Sequence, residues 1–104
     1  MVLYVMQWDI LADRKEVYSE WAKAVIPRTL GVPGVVEFRA YRPATGNHQV
    51  VITYEFANMA DWAAWHGSET MQQILDEVYG LTTNVNIEVW GPSPIVPQPI
   101  RPGG

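Results

Sequence analysis

The sequence of 104 residues contains no cysteine, which excludes disulfide bonds, thiolate metal sites and cysteine nucleophiles. It also contains no basic run: seven Lys and Arg stand against eleven Asp and Glu, for a net charge of −4. Such a chain is not expected to bind nucleic acid. The longest apolar stretch, residues 1–8, is too short to span a bilayer and lacks the features of a signal peptide. A soluble cytoplasmic protein without a membrane partner is therefore expected.

Apolar and aromatic residues, by contrast, are abundant. Apolar residues make up 48% of the chain and charged residues 17%, and there are five Trp and five Tyr. This composition excludes disorder for most of the length. The length itself corresponds to one domain with a substantial hydrophobic core.

Four segments show the alternating, β-branched and aromatic pattern that is typical of strands. They cover residues 1–10, 35–42, 48–56 and 82–90.

Two helical regions separate these strands. A capping-box pattern at Asp13 and Glu16 predicts the start of the first helix, and Pro27 is expected to end or kink it. The second region is expected to open with Asn58 as its N-cap, to break near Gly67 and to end at Gly80. The apolar stripes predicted to face the core are Val17, Trp21, Ala24 and Val25 in the first region, and Met71, Ile74, Leu75 and Val78 in the second.

The resulting order β-α-β-β-α-β predicts an α+β, ferredoxin-like domain over residues 1–90, with a four-stranded antiparallel sheet. The last segment, residues 91–104, contains five Pro and three Gly. It cannot form a helix or a central strand, and an extended tail is expected. Such a tail is either a disordered end or an arm that packs on a partner subunit.

Strand alternation gives the predicted sheet two different faces. The more apolar face, with residues such as Tyr4, Met6, Val36, Phe38 and Tyr54, is expected to carry the helices. The opposite face mixes apolar residues with polar ones, which suits a small-molecule pocket better than a solvated surface. A symmetric homodimer that stacks two such faces would hide the apolar residues and leave a partly polar cavity between the subunits. The polar-apolar face comprises Leu3, Val5, Gln7, Asp9, Val35, Glu37, Arg39, Tyr41, Val51, Thr53, Glu55, Asn84, Asn86, Glu88 and Trp90.

Two motifs carry a resemblance to a known family. They are the Val32-Pro33-Gly34 turn and the segment from Thr53 to Ser68, in which a Tyr-Glu strand end runs into an aromatic-rich helix. Over residues 2–90 the chain resembles the antibiotic-biosynthesis-monooxygenase-like family of the dimeric α/β-barrel superfamily. Ala57 stands where that strand-end pattern usually has Trp. The resemblance implies a ferredoxin-like fold, a homodimer, and kinship with cofactor-free oxygenases of aromatic polyketides and with haem-degrading enzymes.

The haem-degrading activity is not expected here. Members with that activity have an axial His ten positions after a Trp, and Leu75 occupies that position relative to Trp65. No cofactor is therefore predicted. His66 and Glu69 could supply two metal ligands, but a third is missing, so no metal ion is predicted either.

The resemblance favours a cofactor-independent monooxygenase that acts on an aromatic or polyketide-like molecule in the dimer cavity. Trp62, Trp65 and Tyr41 would sandwich the ring. Gln7 and Asn58 would donate or accept hydrogen bonds, and Arg39 would hold an anionic or phenolic group. His66 or Glu55 would accept the proton.

Each of these residues also has a structural interpretation. Asn58 suits an N-cap, His66 a solvated helix end, and the charged residues of the sheet a salt-bridge network across the dimer. The alternative functions are a dimer that binds a small molecule without turnover, and a cyclase or isomerase of the same superfamily.

Overall fold

The computed structural model describes residues 1–103. The sheet has the order β2-β3-β1-β4, and every neighbouring pair is antiparallel. This confirms the predicted ferredoxin-like fold. The elements are β1 (Val2–Ile10), α1 (Lys15–Gly31), β2 (Val35–Tyr41), β3 (Val50–Phe56), α2 (Met59–His66), α3 (Glu69–Leu81) and β4 (Thr82–Trp90).

The core lies between one face of the sheet and the three helices. Tyr4, Met6 and Trp8 project from the central strand β1 and are at most 2% exposed. Burial of large apolar side chains here removes them from water and drives the layers together. The core also includes Tyr54, Phe56, Trp65, Met71, Ile74 and Val78.

The start of β2 departs from simple alternation. Val35 pairs with Phe56 and Glu37 pairs with Glu55, so β2 has one residue more than β3 at this point. This bulge turns Val35 toward the core and leaves Val36 56% exposed, which reverses the faces predicted for these two valines. An extra residue shifts the side-chain alternation by one position.

The start of α1 also differs from the prediction. Asp13 lies in a short 3₁₀ turn, Ala12–Arg14, and α1 begins at Lys15 without a side-chain cap. The backbone N–H of Arg14 donates to the carbonyl oxygen of Leu11 at 3.0 Å. The turn thus satisfies a backbone donor near the point where the capping box at Asp13 was expected.

Pro27 does not end α1, which continues to Gly31. The carbonyl that loses its partner at a helical proline is that of the residue four positions earlier, here Lys23. Both Pro27 and Lys23 are exposed, so water can reach that carbonyl.

The inner face of α1 is displaced from the predicted stripe. Val17 is 52% exposed and Ala24 is also exposed, whereas Tyr18, Trp21 and Val25 pack against the core.

Gly80 lies inside α3 and does not end it. The helix runs to Leu81 and passes directly into β4 at Thr82. The hydroxyl of Thr82 donates to the carbonyl oxygen of Val78 at 2.7 Å. This bond closes the last helical turn without a glycine cap.

After β4, residues 91–103 contain no helix or strand. Ile95 and Ile100 in this tail are 89% and 79% exposed. Within the described part of the chain, no helix is both long and apolar enough to cross a membrane.

Candidate functional site

A cavity of about 130 Å³ lies between α1, α3 and the helix-covered face of the sheet. Its walls are almost entirely apolar. An engineered cavity of roughly 150 Å³ with similar walls stays dry and binds benzene, so this space suits a single aromatic ring. The walls include Met6, Ala40 and Ile52 from the sheet, Ala22 and Ile26 from α1, and Ile74 from α3.

The cavity contains two hydrogen-bonded tyrosine hydroxyls. Tyr54 donates to the hydroxyl of Thr29 at 3.2 Å, and Thr29 donates onward to the carbonyl oxygen of Ile26 at 2.8 Å. Tyr18 instead accepts a bond of 3.1 Å from the indole nitrogen of Trp8. Among residues 1–103 its own hydroxyl hydrogen meets no acceptor, so Tyr18 can donate to a molecule in the cavity.

Both hydroxyls stay protonated near neutral pH. Burial raises the pKa of Tyr54 to about 12. Burial also raises the pKa of Tyr18, against the opposing effect of the bond from Trp8. A buried phenol resists ionisation because a charge is poorly solvated there. These tyrosines are therefore hydrogen-bond donors and not bases.

An ionic clamp holds α1 against α3 beside the cavity. Glu77 accepts bonds from Arg28 at 2.7 and 3.0 Å and from the indole nitrogen of Trp21 at 2.8 Å. The Arg28 guanidinium lowers the pKa of the Glu77 carboxyl, which keeps it ionised. Since Trp21 lines the cavity, the clamp fixes the position of one wall.

The sequence-predicted residues of α2 form an aromatic cluster apart from this cavity. The rings of Trp62 and His66 stack with centroids 5.0 Å apart, and both lie beside Tyr4. Trp65 is fully buried, and its indole nitrogen donates to the carbonyl oxygen of Thr29 at 3.0 Å. Asn58 accepts a bond of 2.8 Å from the backbone N–H of Asp61 and thus serves as the N-cap of α2.

The other predicted residues lie across the sheet. Gln7 accepts a bond of 2.8 Å from Asn86, and Arg39 pairs with the neighbouring Glu37. By strand register, Gln7, Tyr41 and Glu55 share the uncovered face. In one protomer the sheet separates them from the tryptophans of α2. The expected sandwich of a ring between Tyr41, Trp62 and Trp65 therefore does not form there.

The residues that line the cavity are not among the predicted site residues. The inner face of α1 consists of residues at helical spacing, namely Tyr18, Ala22, Val25 and Thr29. A stripe that begins one residue after Val17 would have identified them. Tyr54 is correctly assigned to the helix-covered face, but the pattern gives no sign that space remains beside it. Among the described residues, no group of three metal-ligating side chains occurs.

The α2 cluster contains two buried polar atoms without a hydrogen-bond partner among the described residues, the Tyr4 hydroxyl and the Trp62 indole nitrogen. Burial raises the pKa of Tyr4 to about 12. An unpaired buried polar group costs about 1–3 kcal/mol.

A matched pair of tyrosine variants tests this cost. We expect Tyr4→Phe to raise the free energy of unfolding by about 1 kcal/mol, because it removes an unpaired hydroxyl. We expect Tyr54→Phe to lower the free energy of unfolding by about 1 kcal/mol, because it breaks the bond to Thr29. Urea unfolding followed by circular dichroism measures both changes. A loss of stability in Tyr4→Phe would contradict the absence of a partner for that hydroxyl.

The comparisons with known proteins agree with this architecture. A family model described as antibiotic biosynthesis monooxygenase matches residues 1–77. No curated protein matches the sequence.

Solved structures share the fold at low sequence identity. A ferredoxin-like protein of the dabb family from Mesorhizobium loti is 10% identical, with a TM-score of 0.79 over 88% of this chain and 96% of its own. A protein from Deinococcus radiodurans, titled a putative antibiotic biosynthesis monooxygenase, is 14% identical, with a TM-score of 0.77 over 100% of both chains. A Mycobacterium tuberculosis protein is 19% identical, with a TM-score of 0.73 over 88% of this chain and 94% of its own. At such identities the likeness is evidence for the fold alone.

Proposed function

Because this chain belongs to the antibiotic biosynthesis monooxygenase family, we propose that it binds a small aromatic molecule and adds an oxygen atom to it without a cofactor. The observation that carries the proposal is the apolar cavity of about 130 Å³ between α1, α3 and the sheet. Apolar walls with few polar groups are typical of small-molecule sites. The proposed site is thus the interior of one protomer, and the dimer cavity expected from the sequence is the alternative site.

The polar group that would orient the ligand is Tyr18. Its hydroxyl oxygen already accepts a bond from Trp8, so its hydrogen remains available for another acceptor. A phenol or phenolate oxygen on the ring would provide that acceptor. In an apolar enclosure a hydrogen bond to an anionic oxygen is stronger than in water, and the bond from Tyr18 would offset part of the cost of burying the phenolate form that reacts with oxygen.

A quinol is the substrate class that meets the chemical requirements. Hydroquinone and O₂ give 2-hydroxy-1,4-benzoquinone and water. One oxygen atom replaces a ring C–H with C–OH, and the other leaves as water with the two hydroxyl hydrogens. The quinol supplies the electrons, so no other reductant is needed.

The lining of the cavity also supports a second function. Among the described residues that line it, none is a carboxylate or an imidazole, and Glu77 beside it is engaged by Arg28. The phenolic proton would therefore leave to water at the mouth of the cavity. Because no described side chain that lines the cavity can act as a base, the alternative function is binding of the small molecule without turnover.

Oxygen uptake with hydroquinone tests the proposal. We expect the protein to accelerate uptake above the rate without protein and to form a hydroxyquinone that carries one atom from labelled O₂. Heat-inactivated protein is the control for spontaneous oxidation of the quinol. Binding without accelerated uptake would leave the non-catalytic function, and the absence of binding would overturn both.

The proposal includes a homodimer formed through the uncovered face of the sheet. Tyr41 and Trp90 there are each 50% exposed, and aromatic rings are enriched at protein interfaces. Native mass spectrometry of the same sample counts the subunits and any retained ligand. A monomer would contradict this part of the proposal.

A further inference from the structure

A basic depression adjoins the cavity. It lies where the first turn of α1 meets the β2–β3 loop, and Lys15, Arg42 and His48 contribute to its lining. Val50 lines both the depression and the cavity. The depression and the cavity are therefore adjacent, with Val50 between them.

Lys15 and Arg42 form no ion pair among the described residues, although Glu16 and Glu20 lie on the other side of Lys15. The ion pairs among the described residues are Arg28 with Glu77 and Arg39 with Glu37. The carboxylate of Asp9, nearby in the fold, accepts bonds from the backbone N–H of Gln49 and from Asn84 instead. In a chain with a net charge of −4, two unpaired cations in one depression favour an anionic ligand.

The depression lies on the same side of α1 as Tyr18, the residue whose hydroxyl would orient the ligand. Lys15 and Tyr18 both belong to α1, and residues three apart on a helix lie on the same side, with their Cβ atoms about 5–6 Å apart. Tyr18 lines the cavity and Lys15 lines the depression. A ligand held by Tyr18 at a ring oxygen and by Lys15 at an anionic group would thus contact one side of α1.

We propose that the natural ligand is an aromatic ring with a carboxylate on a short side chain, and that Lys15 and Arg42 bind this carboxylate. The inference rests on the proposed function, because it assumes that the ring occupies the cavity. Arg42 can donate two parallel hydrogen bonds to a carboxylate, and Lys15 adds a point charge. His48 contributes a further ring nitrogen to the same depression.

Two probes of matched ring chemistry test the carboxylate site. Hydroquinone and 2,5-dihydroxyphenylacetate share the quinol ring. In the second compound a carboxylate is attached to the ring through one CH₂ group. Isothermal titration under anaerobic conditions measures binding without turnover. We expect 2,5-dihydroxyphenylacetate to bind about tenfold more tightly than hydroquinone, because its carboxylate forms charge-assisted hydrogen bonds with Lys15 and Arg42. This difference in affinity is expected to shrink at high salt, which screens exposed charges.

Substitutions identify the side chains responsible. In the double variant Lys15→Gln/Arg42→Gln we expect the tenfold preference to disappear while the affinity for hydroquinone stays unchanged. Lys23→Gln removes an exposed cation from the same helix and is expected to keep the preference. The salt dependence in the unaltered protein gives a second readout that needs no variant.

The outcomes separate the two proposals. Equal affinity for both probes in the unaltered protein, or a preference that survives in the double variant, would overturn the carboxylate site and leave the proposed function intact. If neither probe binds, the cavity is not the ligand site and both proposals fail.

Discussion

Replacing Ala22 with phenylalanine is expected to lower the affinity for hydroquinone roughly a hundredfold, which corresponds to about 2.7 kcal/mol. Ala22 lines the cavity from α1. A phenyl side chain at this position would occupy the space of about 130 Å³ that the ligand ring needs. Because no described side chain fills the cavity, the added ring can pack there without displacing the core. Titration calorimetry measures the loss of affinity for hydroquinone.

The matched control is Ala24→Phe on the same helix. Ala24 is exposed, so a ring at that position leaves the cavity unchanged, and we expect ordinary affinity for hydroquinone. Circular dichroism establishes that both variants are folded. Undiminished binding in folded Ala22→Phe would place the ligand elsewhere, with the dimer cavity predicted from the sequence as the next site to test.

Replacing Trp65 with alanine is expected to lower the free energy of unfolding by about 3–5 kcal/mol. Trp65 is fully buried, and its ring lies 4.9 Å from that of Tyr54 and 5.0 Å from that of Phe56, between centroids. Its indole nitrogen also bonds to the carbonyl oxygen of Thr29. The substitution leaves both a cavity and an unpaired buried carbonyl, and urea unfolding measures the sum.

Trp62→Ala provides the comparison within α2. Trp62 is partly buried and its indole nitrogen has no hydrogen-bond partner among the described residues, so we expect a clearly smaller loss of stability. The sequence alone suggests that both tryptophans hold a substrate ring. If Trp65→Ala kept its stability and lost only ligand binding, that interpretation would replace the structural role.

The sequence predicts the fold well because the strands depend on local signals. Alternation over residues 1–10 and 48–56 places Tyr4, Met6 and Tyr54 on the helix-covered face, where the structure has them. A bulge, in contrast, leaves no local signal in the pattern. The faces of Val35 and Val36 are therefore reversed, because one extra residue in β2 shifts the alternation.

The site could not be predicted to the same extent. Tyr18 and Ala22 line the cavity because the inner face of α1 lies one residue away from the stripe that begins at Val17. The empty volume depends on how large side chains from three layers fit together, which no periodicity reports. Lys15 and Arg42 are distant in sequence, and the β2–β3 loop brings them together.

The order β2-β3-β1-β4 leaves β2 and β4 as the edges of the sheet. Edge strands offer unpaired backbone groups to other chains and are a common route to aggregation. Here β2 begins with the bulge at Val35–Glu37, and the pairing of β4 with β1 shifts register near Asn84, whose φ of 54° lies in the left-handed region. Both edges thus lack a flat, regular ladder along their whole length. This discourages edge-to-edge polymerisation of the chain.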